Sequence, residues 1–85
     1  MARYSLHSRK SVAKDLRAIP KEDVKRMLTR IDSLADEPRP PGCEKLKARE
    51  VYRIRQGRYH ILYEIREDIL VVIVVKIGHR ADVYR

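Results

Sequence analysis

Val51-Tyr52-Arg53-Ile54-Arg55-Gln56-Gly57-Arg58-Tyr59-His60-Ile61-Leu62-Tyr63-Glu64-Ile65-Arg66 is the stretch that decides the fold. Its apolar residues recur every second position, the period of a strand with one face buried. Tyr52 and Ile54 fall on one side of the first strand, and Arg53 and Arg55 on the other. Gly57 marks a turn, after which Tyr59, Ile61, Tyr63 and Ile65 alternate with His60, Leu62, Glu64 and Arg66. Glu67-Asp68 gives a second tight turn. Residues 69–77 then form the most buried strand, apolar on both faces up to Lys76. Turns this short join antiparallel neighbours, so the three strands make a meander.

Upstream, the period changes. Asp36-Glu37-Pro38-Arg39-Pro40-Pro41-Gly42 is a stiff connection that no helix or central strand can cross. Before it, Val24, Met27, Leu28, Ile31, Leu34 and Ala35 carry the buried face of a helix. Pro20 fits the first turn of that helix, and Glu22 and Asp23 suit its positive end. Val12, Leu16 and Ile19 form a single stripe on an earlier helix for which Ser8 is a cap, while Arg9, Lys10, Lys14 and Arg17 face water. Residues 2–7 alternate as a first strand, with Tyr4 and Leu6 on one face. The expected class is α+β: a strand, a helical hairpin, then a three-stranded antiparallel meander, all in one small sheet. The hairpin covers one sheet face and leaves the other as a working surface.

Eighty-five residues make a single domain, 1–85. Cys43 is the only cysteine, so the chain has no internal disulfide, and His7, His60 and His79 lack zinc-ligand spacing. Neither a metal nor any other cofactor is expected. The first ten residues have no signal-peptide pattern, and the longest apolar run, residues 69–75, is far short of the roughly 20 residues that cross a bilayer. No membrane association is expected, and a reducing cytoplasm suits the lone thiol. Net charge is +8, from 20 Lys and Arg against 12 Asp and Glu, and both halves of the chain are basic. A compact domain with that excess points to nucleic acid or an acidic partner.

Arg53 and Arg55 place two guanidinium forks side by side, matched to phosphate oxygens, and such a pair is best satisfied with an anion between them. A tight turn at Gly57 and Arg58 puts His60 on the same face, where neighbouring cations favour its neutral, proton-accepting form. Gly78, His79, Arg80 and Tyr84 follow the last strand and can fold back over this face. Histidine, tyrosine and arginines together can move protons and neutralise phosphate charge. RNA supplies its own nucleophile in the 2′-OH, so strand cleavage needs no metal. Gly-rich phosphate loops, G-x-S-x-G, Cys–His pairs and paired-carboxylate nuclease signatures are missing.

Leu46-Lys47, Tyr52 to Arg55, Gly57, Tyr59 to Ile65, and Gly78-His79-Arg80 with Val83-Tyr84 closely resemble the RelE toxins of bacterial and archaeal toxin–antitoxin modules. The resemblance spans the whole chain. It implies a RelE-like ribonuclease fold that enters the ribosomal A site and cuts mRNA by 2′-OH attack, inhibiting translation. It also implies a RelB-like antitoxin as partner, and operator DNA bound by the complex through the antitoxin.

The resemblance assigns catalysis to Arg53, Arg55, His60, Arg80 and Tyr84, and RNA contact to Lys47, Arg58, His79 and Arg85. Arg53 and Arg55 stand where relatives often carry lysines, and Arg80 corresponds to a transition-state arginine. Because arginine is a poor general base, His60, His79 and Tyr84 are the candidates for proton transfer. The sequence stops one residue after Tyr84, without the terminal helix of some members, so the antitoxin is expected on the sheet or the helices. The rival reading is a ParE-like toxin that poisons DNA gyrase without cutting RNA.

Overall fold

The structure is a computed structural model that describes residues 3–46 and 50–79. Its elements are β1 (Ser5–Ser8), α1 (Lys10–Arg17), α2 (Lys21–Ser33), β2 (Glu44–Lys45), β3 (Val51–Gln56), β4 (Tyr59–Arg66) and β5 (Val71–His79). The strands join one sheet in the order β1-β5-β4-β3-β2. The meander is present as expected: β3 pairs antiparallel with β4, and β4 with β5. β1 adds to the far side of β5 in parallel, Ser5 opposite Val71 and Ser8 opposite Val74.

One sheet face carries the core. Tyr52 and Ile54 of β3, Ile61, Tyr63 and Ile65 of β4, and Val72, Val74 and Ile77 of β5 are buried against Val12, Ile19, Met27 and Leu34 from the helical layer. α1 lies chiefly along β5, and α2 touches β3. The two helices, joined through Ala18, Ile19 and Pro20, therefore act mainly as covers for the sheet. Tyr52 and Tyr63 stack with centroids 5.9 Å apart.

The proline-rich connection is fastened to this core. The Tyr63 hydroxyl donates to the Pro38 carbonyl at 2.7 Å and lies 3.3 Å from Cys43 Sγ. Arg39 sits over the Tyr52 ring, 5.1 Å from its centroid, and pairs with Glu67. Burial, then the Cys43 contact, pushes the Tyr63 hydroxyl well above the ordinary tyrosine pKa.

Several expectations need correction. Ser8 does not cap α1: it is still paired in β1, and Arg9 occupies the cap position without a side-chain cap bond. The Arg9 N–H donates to the Val74 carbonyl, continuing the β1 ladder, and the Arg9 carbonyl accepts from the Val12 N–H in the first turn of α1. Pro20 stands just before α2, and its carbonyl accepts from Asp23 and Val24. Leu28 is half exposed, outside the buried stripe. The last strand begins at Val71, because Ile69 and Leu70 form the turn and Leu70 takes a left-handed φ of 52°. That strand also continues through His79 instead of releasing a tail at Gly78. β2, two residues long, was too short to leave a periodic signal.

A β-bulge interrupts the β4–β5 ladder. Leu62 pairs with Lys76 while Tyr63 pairs with Val74, leaving Val75 as the extra residue. Strict alternation after Val72 and Val74 would send Lys76 towards the helices. The bulge turns it to the opposite face and returns Ile77 to the core.

Candidate functional site

The sheet face turned away from the helices is ordered by its register. β3 and β4 are joined by the two-residue turn Gly57-Arg58, with Gln56 opposite Tyr59 and Gly57 at a φ of 61°. This turn fixes Arg55 opposite His60 and Arg53 opposite Leu62. Continuing outwards, His60 faces Gly78 and Leu62 faces Lys76 on β5, while Arg53 faces Glu44 on β2. Two rows thus cross the sheet: Lys76, Leu62, Arg53 and Glu44 in one, Gly78, His60 and Arg55 in the next.

His60 is 2% exposed, which excludes the reading of an ordinary surface histidine. It lies in an open cleft of about 270 Å³ lined also by Arg55, Gly57, Arg58 and His79. Gly78 opposite His60 adds no side chain to that row. His79 stands at the mouth, its ring edge-on to Tyr59 with centroids 5.9 Å apart. The expected grouping of Arg53, Arg55 and His60 on one face is therefore present, with Arg58 and His79 beside it.

The two arginines of β3 are in different states. Arg53 is mostly buried and pairs with Glu44, its cross-strand neighbour. The anion that meets it is the protein's own carboxylate. Arg55 is exposed and makes no ion pair among the described residues. At the other end of the same face, Glu64 accepts from Arg9 at 3.0 Å and meets Arg66 at 3.4 Å. Positive charge is thus partly offset beside Glu64 and without an acidic partner at Arg55 near the 57–58 turn, among the described residues.

Arg80 and Tyr84, expected in catalysis, and Lys47 and Arg85, expected to touch RNA, lie outside the described residues. Lys76 and Glu44 were missed. The unbroken apolar run from Val71 to Val75 gave no sign that Lys76 changes face. Glu44 gave no sign, since β2 has no pattern of its own. Among the described residues no group of three His, Cys, Asp or Glu is placed to hold a metal ion.

What such a cleft can do chemically is hold a phosphate between guanidinium forks while an imidazole accepts or supplies a proton. The profile of the ParE toxins of type II toxin–antitoxin systems (parDE) matches residues 7–84. A toxin RelE1 relative from Methanocaldococcus jannaschii is 30% identical over 87 residues, covering 98% of this chain and 97% of its own. The chain belongs to the RelE/ParE superfamily. Solved RelE/ParE structures agree in fold. A chain of the archaeal RelE–RelB complex from Pyrococcus horikoshii superposes with a TM-score of 0.83 at 30% identity, over 96% of this chain and 99% of that one. The RelB–RelE complex from Methanococcus jannaschii gives 0.73 at 28% identity, over 92% and 94%. The RelE-like fold expected from the sequence is the fold observed.

Proposed function

We propose that this RelE/ParE chain is a toxin that cleaves mRNA in the ribosomal A site without a metal ion. The observation that carries the reading is the buried His60 set directly opposite Arg55, which has no ion pair among the described residues, with Arg58 and His79 lining the same cleft. Arg55 and Arg58 hold the scissile phosphate. A base takes the proton from the 2′-OH, O2′ attacks phosphorus, and the bond from phosphorus to O5′ breaks. An acid then protonates the leaving 5′ oxygen, giving a 2′,3′-cyclic phosphate and a 5′-hydroxyl. His60, His79 and Tyr84 remain the candidates for base and acid, and Arg80 for charge stabilisation.

The partner we assign is a RelB-like antitoxin, because similar chains are solved in complex with RelB. Operator binding by the pair would then run through the antitoxin. The whole cycle belongs in the cytoplasm, where translation takes place; no described helix is long and apolar enough to cross a membrane.

The test is cleavage of a programmed mRNA by purified protein on translating ribosomes, with the product ends identified. Cyclic phosphate ends and a rate lowered about a hundredfold or more by Arg80→Ala support the reading. The matching profile is named for ParE, which gives the gyrase reading its footing. Toxicity with damaged DNA and intact mRNA would decide for it.

A further inference from the structure

Beyond Val74, β5 loses the strand beside it. β1 ends with Ser8 opposite Val74, and the chain turns into α1. The remaining edge of β5 carries Lys76, Gly78, which stands opposite His60, and His79, which lines the cleft. An unpaired edge of this kind frays, since backbone groups there have no ladder partner. At Ile77 the structure supplies one from outside the sheet: its N–H, pointing away from β4, donates to Asp15 Oδ2 at 3.1 Å. Asp15 belongs to α1, and the bond is partly buried.

We propose that Asp15 is a positioning residue for the cleft, holding the end of β5 in place through the Ile77 amide. This rests on the nuclease reading for its effect on activity, though not for the latch itself. On one side Ile77 is paired with Ile61 of β4; on the other it is tied to α1. Its neighbours in sequence, Lys76 and Gly78, are thereby fixed opposite Leu62 and His60, and His79 is fixed against Tyr59. The bulge at Val75 makes the second anchor necessary, because it weakens the ladder just before this segment. Among the described residues the side-chain hydrogen bond of Asp15 is the one to the Ile77 amide, so its hold on the cleft runs through the strand. It also lines a groove of about 320 Å³ between α1 and β5 with Tyr59, Ile77, Gly78 and His79, and this groove and the cleft share His79.

The experiment is amide hydrogen exchange of the full chain, with ribosomal cleavage measured on the same preparations. In the unsubstituted protein the Ile77 amide should be protected to a degree like that of paired sheet amides; rapid exchange there overturns the proposal whatever any variant does. Asp15→Ala should speed Ile77 exchange about tenfold or more while Val72 keeps its protection. The same variant should lower kcat about tenfold or more with KM changed less than about twofold, as misplacement without lost binding does. Asp15→Asn keeps an acceptor oxygen and should restore both. Equal losses in the Asn and Ala variants, or unchanged Ile77 exchange in the Ala variant, overturn the latch. Absence of cleavage by the unsubstituted protein would remove the nuclease reading, and exchange would then decide the latch alone.

Discussion

Arg53 and Arg55 are two positions apart on one strand face, yet they are prepared for different work. Arg53 is held by Glu44 across the β2–β3 ladder, whereas Arg55 faces His60 in the open cleft. A phosphate can engage Arg55 at once but must displace Glu44 to engage Arg53. Arg55→Ala should therefore cost the larger share of cleavage, about tenfold or more in kcat/KM, because an unpaired guanidinium gives its full charge to phosphate. Removing the competitor should work the other way. Glu44→Gln should tighten binding of single-stranded RNA and steepen its salt dependence by about one phosphate contact, read by fluorescence anisotropy over a salt series. At this scale the sequence was informative about types and poor about partners. The pattern around Gly57 placed Arg53, Arg55 and His60 together because a two-residue turn leaves one register. The Glu44 pairing could not be read, since it depends on a strand of two residues brought in by a proline-rich connection.

Among the elements, that connection has the most exposed logic. Tyr63 lies at the centre of β4, fully buried, and its hydroxyl reaches up to the Pro38 carbonyl. Tyr63→Phe should keep the stacked ring and lose the bond, costing about 1–2 kcal/mol in denaturant unfolding. The raised hydroxyl pKa adds a pH dependence. Below the ordinary value of 10 both folded and unfolded states hold this proton, and the contribution is intact. Above it the unfolded chain loses the proton first, so stability falls as pH rises, by up to about 1.4 kcal/mol per pH unit. The Phe variant should lack this part of the alkaline decline, as urea midpoints from pH 9 to 11 would show. β5 teaches the complementary lesson about legibility. Its seven apolar residues promised burial on both faces, but only Val72 and Val74 on the core side are buried while Val71 and Ile73 are partly so, and a run without polar markers hides where alternation slips. Hence the start was placed two residues early and the bulge at Val75 was invisible until Lys76 was seen opposite Leu62. Ser8 failed as a cap for a related reason: a propensity for capping says nothing when the residue is already hydrogen-bonded in a sheet.

For the molecule as a whole, charge is distributed with more structure than a total of +8 conveys. Glu64 offsets part of the charge of Arg9 and Arg66 at one end of this face, and the cations near the 57–58 turn dominate the other. RNA affinity should accordingly fall steeply with salt, and Glu64→Gln should raise affinity less than about twofold while leaving cleavage in place. A larger gain would mean that the Glu64 end also meets RNA, a result binding titrations would reveal. The strand and helix order was legible because period 2 and period 3.6 meet at a proline-rich boundary. The partnership of β1 with β5 was not, since no local pattern announces a pairing between distant segments.

That parallel pairing has a kinetic consequence. β5 stands between β1 and β4, so neither neighbour is complete until it arrives. A chain made from its amino terminus carries β1 for nearly the whole of synthesis before its mate is available, and contacts of such long range form late. Lys76, Gly78 and His79 arrive with that same strand. A polypeptide released early, from a broken message or a stalled ribosome, would thus lack both the strand that joins β1 to β4 and the His79 side of the cleft. Assembly order alone confines any activity of this site to chains that have been made through β5.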